Sequence, residues 1–174
     1  MPYLFTFKPL NVETMLKILP VLLLLTACSP TTYYIVRHGE KEAPGSAMGG
    51  DVALSAAGEQ RALALRERLK TGRIQYIYST DTRRTKGTAR PLAEALGAGI
   101  ETYNPRDTGF VRYVLGRGKA NALIVGHSNT VDDLVNSFLG RTELQDLPDS
   151  AYSNLFIITR KGKKISYARE RYGN

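Results

Sequence analysis

The sequence predicts an α/β fold, a three-layer sandwich with a mostly parallel central sheet flanked by helices, and three observations predict it. Short apolar, β-branched runs alternate with stretches of helical periodicity, the pattern of strands joined by helical crossovers. Two of those runs, Tyr33-Tyr34-Ile35-Val36 and Ala122-Leu123-Ile124-Val125, stop beside the only two histidines in 174 residues, His38 and His127. Hydrophobic content of 43% and charged content of 23% suit one globular domain with a real core. In open α/β sheets ligands bind beyond the carboxyl ends of strands, so both imidazoles fall where a site belongs.

The elements follow in order. Tyr33–Val36 is the first strand, and a Gly- and Ala-rich loop, about Glu42–Val52, comes after it. Ser55 is an N-cap, with Gly58-Glu59 in the first turn of a helix to about Leu69. Ala62, Leu65 and Leu69 recur at helical spacing, while Arg66, Arg68 and Lys70 face water. A second strand, Ile74–Tyr78, ends at Ser79-Thr80-Asp81. The next helix is expected from Thr82 to Leu96, interrupted at Pro91 and closed by Gly97. A short strand near Ile100–Tyr103 leads through Asn104-Pro105-Arg106-Asp107 to a helix around Phe110–Gly116. The Ala122–Val125 strand and a Thr130–Leu139 helix come next. Tyr152–Thr159 and Lys164–Tyr172 form a closing hairpin across the turn Arg160-Lys161-Gly162-Lys163-Lys164.

Ahead of this domain, Met15–Cys28 has a short basic start and the apolar run Val21-Leu22-Leu23-Leu24-Leu25. That run is too short for the roughly 20 residues of a membrane span and matches a secretory signal. Its end, Leu25-Thr26-Ala27-Cys28, resembles the lipobox of bacterial lipoproteins. The resemblance implies cleavage before Cys28, lipid on that cysteine, and a domain anchored in the bacterial envelope facing the periplasm or exterior. Residues 1–14 carry Pro2, Pro9 and Glu13, which fit a signal poorly, so Met15 is a candidate translation start. The expected organisation is a signal over residues 1–27, an anchor and tether over 28–32, and one domain over 33–174. Four tether residues after Cys28 reach little more than ~14 Å, which holds the domain against the bilayer.

The net charge is +8, and losing residues 1–27 leaves the domain basic. A basic chain suits nucleic acid, an anionic surface or an anionic small substrate. No Arg/Lys run is interleaved with aromatics, so nucleic acid is not an expected partner. With a single cysteine, no internal disulfide forms. There is no Cys/His cluster at metal spacing, so neither a zinc site nor any cofactor is expected. Nothing in the sequence sets an oligomeric state.

The strand ends deliver Arg37-His38, then Ser79 through Arg84, then His127-Ser128. A phosphoryl dianion needs fork-shaped cationic donors, which arginine supplies better than lysine. It also favours free amides at a helix N-terminus, such as Ser128-Asn129-Thr130 would offer. A histidine among these groups stays neutral, because like charges disfavour its protonated form, and can then attack phosphorus.

Arg37-His38-Gly39-Glu40 resembles the Arg-His-Gly signature of the histidine phosphatase superfamily, also called phosphoglycerate-mutase-like. Leu54-Ser55-Ala56-Ala57-Gly58 is similar to the family's Leu-Thr/Ser-x-x-Gly helix start. Ser79 through Ala89 resembles its Ser-x-x-x-x-Arg-x-x-x-Thr-Ala segment, which puts the second arginine at Arg84 and Arg83 on a variable position. Gly126-His127 matches the second histidine. The resemblance spans Tyr33 to about Leu139, nearest the small phosphohistidine-phosphatase-like branch. It implies a transient phosphohistidine on His38, with Arg37, Arg84 and His127 as the phosphate pocket. Ser128 and Lys41 are further candidate ligands. The family often takes its general acid from the loop after the second helix, where Asp107 stands; Glu101 and Glu40 are the alternatives. Glu40 is otherwise expected to position Arg37 or cap the loop. The mutases usually carry Ser and Asn soon after Arg-His-Gly, whereas here Lys41 and Glu42 come first, and their substrate-holding insertions are missing. A phosphatase acting on a small phosphomonoester or phosphoramidate is therefore the expectation. A non-catalytic phospho-ligand-binding lipoprotein and a mutase are the alternatives.

Overall fold

Residues 29–43, 51–148 and 150–173 are described in a computed structural model of the chain. The expected signal, Cys28 and part of the loop after the first strand lie outside the described residues. Alternation in the Tyr33–Val36 run sends Tyr33 and Ile35 to one face of the sheet and Val36 to the other. That run forms β1, Thr31–Arg37, and the remaining strands are β2 (Ile74–Ser79), β3 (Ile100–Thr102), β4 (Asn121–Gly126), β5 (Asn154–Lys161) and β6 (Lys164–Arg171). They lie in the order β3-β2-β4-β1-β5-β6. The first four are parallel, while β5 and β6 add antiparallel at the β1 edge.

The helices are α1 (Ala56–Leu69), α2 (Arg83–Leu96), α3 (Phe110–Gly116) and α4 (Val131–Leu139). Leu65 and Leu69 of α1 and Ala89 and Leu92 of α2 bury one face of the sheet. Phe110 and Val114 of α3, with Val131, Val135 and Phe138 of α4, bury the other. Each such Leu or Phe removed from water contributes about 1.5–3 kcal/mol, so both faces are well covered.

Local chemistry sets the helix ends. Ser55 Oγ accepts the Gly58 amide, Thr82 Oγ1 accepts the Thr85 amide, and Gly97 closes α2 in the left-handed region at φ 61°. The expected break at Pro91 does not occur: α2 runs through it to Leu96. Gly87, whose carbonyl loses its i+4 donor there, and Pro91 both line the groove between α1 and α2.

β1 and β4 run parallel, but the crossovers that leave them go to opposite sides of the sheet. The crossover from β1 leads towards β2, and the crossover from β4 leads to β5 on the far side. The crevice at the carboxyl ends of these two strands is where such a sheet binds ligands. Val36 pairs with Val125 and Arg37 with Gly126, so His38 and His127 leave the sheet side by side.

Candidate active site

A cleft of about 800 Å³ opens over that crevice, lined by Arg37, His38, Lys41, Arg84, Asp107 and His127 among others. Ser128, Asn129 and Arg106 also reach it. The structure thus brings together Arg37, His38, Lys41, Arg84, Asp107, His127 and Ser128, and leaves the alternative acids Glu40 and Glu101 outside the cleft. The imidazoles of His38 and His127 stand 5.4 Å apart, centroid to centroid, at 68°.

His38 is only 4% exposed, and its position is fixed by backbone. Its amide donates to Gly126 O (3.0 Å), and the Gly39 amide donates to Thr88 Oγ1 (2.9 Å). Its Nδ1 lies 2.7 Å from Gly39 O. A carbonyl only accepts, so Nδ1 carries the hydrogen and Nε2 keeps its lone pair. Burial pushes the imidazole pKa down to about 3, with His127, Arg37 and Arg84 lowering it further against the Gly39 hydrogen bond. At neutral pH His38 is an uncharged base with a free Nε2.

Arg37 is buried, with its guanidinium stacked 4.1 Å from the Tyr152 ring centroid. It donates to Pro148 O and Tyr152 Oη, both at 3.3 Å. These contacts hold the fork in place before any substrate arrives. Arg84 projects from the first turn of α2, with Nη1 3.7 Å from Asp51 Oδ1 and Nη2 3.5 Å from His127 Nδ1. Its Nε is buried without a hydrogen-bond partner among the described residues. A buried unpaired donor beside two imidazoles and a second guanidinium is a place for an anion. Arg83 points away, along the groove between α1 and α2, so the register that selects Arg84 agrees with its position.

His127 has the opposite tautomer. Arg84 can only donate, so Nδ1 accepts; Nε2 then carries the hydrogen and donates to Thr80 Oγ1 at 2.8 Å. Thr80 Oγ1 donates to Thr85 Oγ1 (3.0 Å), which donates to Thr80 O (2.9 Å), so the chain of donors closes on backbone. Burial, then Arg84 and Arg37, push the His127 pKa down to about 4. Replacing Thr80 by valine leaves the His127 donor unpaired in a buried site, which costs about 1–3 kcal/mol. Thr80→Val is expected to lower kcat/KM about tenfold or more, and to release the His127 tautomer as read by nitrogen NMR. Thr80→Ser should restore both; an unchanged tautomer in the valine variant would remove Thr80 from this role.

The two lowered histidine values also carry a stability prediction. Below about pH 6.5 the unfolded chain takes up protons at both imidazoles, while the folded chain does not until about pH 4 to 3. Their contribution is full above pH 6.5 and falls as pH drops through that window. The urea midpoint is expected to fall between pH 7 and pH 5, and to fall less in His127→Gln.

The three candidate acids separate. Asp107 lines the cleft, with Oδ1 accepting the Gly109 amide at 2.8 Å ahead of α3. Glu40 and Glu101 do not line it. Glu40 neither caps the loop nor pairs with Arg37 through its carboxylate; it is clamped by Arg61 Nε and Nη2 at 2.6–3.0 Å, which holds its pKa low. Glu101 pairs with Arg117 at 3.1 Å. The amides of Ser128 and Asn129 have no protein partner among the described residues, whereas that of Thr130 is spent on His127 O.

Sequence reasoning places Thr80 at a strand end of the site, and Asp51, Arg106 and Tyr152 in the segments Lys41–Val52, the Asp107 loop and Asp149–Asn154 that wall it, but gives no individual role to these four or to Pro148 and Asp133. Tyr152 and Pro148 meet Arg37 across more than 100 residues, and no local signal announces that contact. Asp51 could have been suspected as a polar residue just ahead of the Leu54-Ser55 helix start. Its Oδ1 accepts the Arg83 amide at 3.0 Å and so fixes the start of α2.

Comparisons with known proteins agree with this geometry. Residues 33–106 match the histidine phosphatase superfamily (branch 1). The chain is 34% identical over 130 residues to the probable phosphoglycerate mutase GpmB of Salmonella paratyphi A, covering 70% of this chain and 60% of that protein. It therefore spans about 60% of the length of the curated relatives it matches. The protein histidine phosphatase SixA, solved with tungstate, shares the fold at TM-score 0.64 and 19% identity, over 81% of this chain and 97% of that one. A mycobacterial glucosyl-3-phosphoglycerate phosphatase does so at TM-score 0.64 and 14% identity, over 82% and 98%. Residues 33–106 thus resemble the histidine phosphatase superfamily, and the described chain shares the fold of its solved neighbours.

Proposed function

We propose that this chain is a metal-independent phosphatase, hydrolysing a small phosphomonoester or phosphoramidate through a phosphohistidine on His38. One observation carries the reading: a neutral imidazole with its Nε2 lone pair free, at the base of a cleft ringed by Arg37, Arg84 and Lys41. Guanidinium groups hold the phosphoryl oxygens and take up the charge that builds in the transition state. The Nε2 lone pair attacks phosphorus as the bond to the leaving oxygen or nitrogen breaks, and the leaving atom takes a proton, assigned to Asp107. Water then attacks phosphorus and gives a proton back to Asp107, as the N–P bond breaks and its electron pair returns to Nε2. Inorganic phosphate departs and neutral His38 is restored. His127 and the Ser128 and Asn129 amides complete the pocket. In the same reading Cys28 carries lipid and holds the domain in the bacterial envelope, facing the periplasm or exterior.

A mutase is the second reading, favoured by the 34% identity to a protein named as a phosphoglycerate mutase. The fold neighbours named as phosphatases support hydrolysis instead. Purified protein offered an aryl phosphate and a panel of phosphomonoesters is expected to release inorganic phosphate. Arg84→Ala should slow that release about 10²- to 10³-fold, as loss of one transition-state donor does. Phosphoryl exchange between positions of a sugar acid, without net phosphate release, would favour the mutase. Binding without turnover across the panel would leave a phospho-ligand-binding protein.

A further inference from the structure

The two ends of the sheet differ in what they carry. The carboxyl ends of β1 and β4 hold the cleft. At the opposite end, Ile74 pairs with Asn121 and Thr31 with Arg160, so the loops before β2 and β4, the start of β1 and the tip of the β5–β6 hairpin meet there. These loops place six exposed cations together: Arg73, Lys119, Arg160, Lys161, Lys163 and Lys164. Glu67, the acid at the end of α1, is already taken by Arg66 and Lys70. The chain also enters the fold here. Ser29 and Pro30 lead directly into Thr31, and the 28 residues before them include the apolar Val21–Leu25 run and Cys28.

We infer that this basic end is a docking surface for an anionic lipid bilayer, and that it turns the cleft away from the membrane. Each lysine or arginine held near an anionic leaflet adds to binding, and the effect fades within a Debye length of about 8–10 Å. With Thr31 and Thr32 taken into β1, only Ser29 and Pro30 separate Cys28 from the fold, and their reach of about 7 Å keeps the cations inside that range once Cys28 carries lipid as proposed above. Seven residues of β1 then separate the basic end from His38 by about 23 Å, at ~3.3 Å per residue. The cleft therefore opens towards soluble substrate rather than towards lipid headgroups. This orientation rests on the chain's placement and charge, not on the phosphatase reading, and it is measured without turnover.

The test is sedimentation of the full chain with phosphatidylcholine vesicles and with vesicles containing 30% phosphatidylglycerol (~30%, enough to set an anionic surface). Retention on the neutral vesicles reports the apolar N-terminal segment and should be alike in all variants. The anionic vesicles should bind the unmodified chain at least about tenfold more tightly than the neutral ones, and added salt should erase the difference. Lys163→Glu with Lys164→Glu should abolish that increment. Arg90→Glu with Arg112→Glu, an equal change in charge elsewhere, should leave it. Amide hydrogen exchange should slow at residues 160–164 on anionic vesicles and stay unchanged at 104–108. No dependence on phosphatidylglycerol, equal loss in both double variants, slowed exchange at 104–108 instead, or displacement from vesicles by duplex RNA would overturn the inference.

Discussion

His38→Ala is expected to lower kcat for aryl phosphate hydrolysis by at least about 10⁴-fold, the scale on which loss of a covalent nucleophile acts. The residue supplies the lone pair, and nothing beside it can take over. His127 presents Nδ1 to Arg84 and commits Nε2 to Thr80, so its free electrons are shared with a guanidinium. The remaining polar cleft groups are cations, amides, carboxylates and the hydroxyls of Thr108, Ser128, Thr130 and Ser137, and none of them is an imidazole. Because His38 is neutral well below pH 7, the acid limb of kcat/KM should not follow an ordinary histidine near 6.5. Circular dichroism of the variant should match the unmodified protein, since the His38 and Gly39 amides keep their partners. Activity within about tenfold of the unmodified chain would remove His38 from the nucleophile's role.

Gly58→Ala is expected to be the most damaging single methyl in the domain. A Cβ at Gly58 would stand 2.1 Å from Glu40 O and 2.9 Å from Glu40 N, and both are backbone atoms that no rotamer can move aside. Glu40 O already accepts the Ser55 amide at 2.9 Å, so shifting it disturbs the helix cap as well. Overpacking of this kind costs roughly 1–3 kcal/mol, with the upper end expected where backbone must move. For a chain of this size about 3 kcal/mol lowers Tm by about 6–12 °C. The segment that must give way is His38-Gly39-Glu40 itself, so turnover should fall in the surviving folded fraction too. A Tm within about 2 °C of the unmodified protein would show that the α1 start does not brace the catalytic loop.

Much of this was legible because local chemistry carried it. The β-branched runs ending at His38 and His127 are strands that end side by side, and Ser55 caps α1 as its hydroxyl and the following helical spacing predict. Arg84 was legible only through its register. On a helix, Arg83 and Arg84 differ by about 100°, so one faces the cleft and the other the α1–α2 groove. Pro91 misled because the rule against proline within a helix assumes that the freed carbonyl has nowhere to go. Here Gly87 and Pro91 both line a groove rather than the packed core. Glu40 misled differently: its partner Arg61 sits one turn into α1, a contact that exists only once Gly39 and Gly58 have packed together. The tautomers of both histidines were beyond reach, since each depends on a tertiary acceptor or donor: Gly39 O for one, Thr80 and Arg84 for the other.

The covalent intermediate itself is the most direct object to measure. Protein mixed with a radiolabelled phosphomonoester and quenched within a turnover should carry a phosphoryl group that survives base and is lost in acid, as an N–P bond requires. Mass spectrometry should place it on His38, and His38→Ala should carry none. A label stable to acid, a label on any other residue, or burst-free phosphate release with no label at all would contradict nucleophilic catalysis by His38.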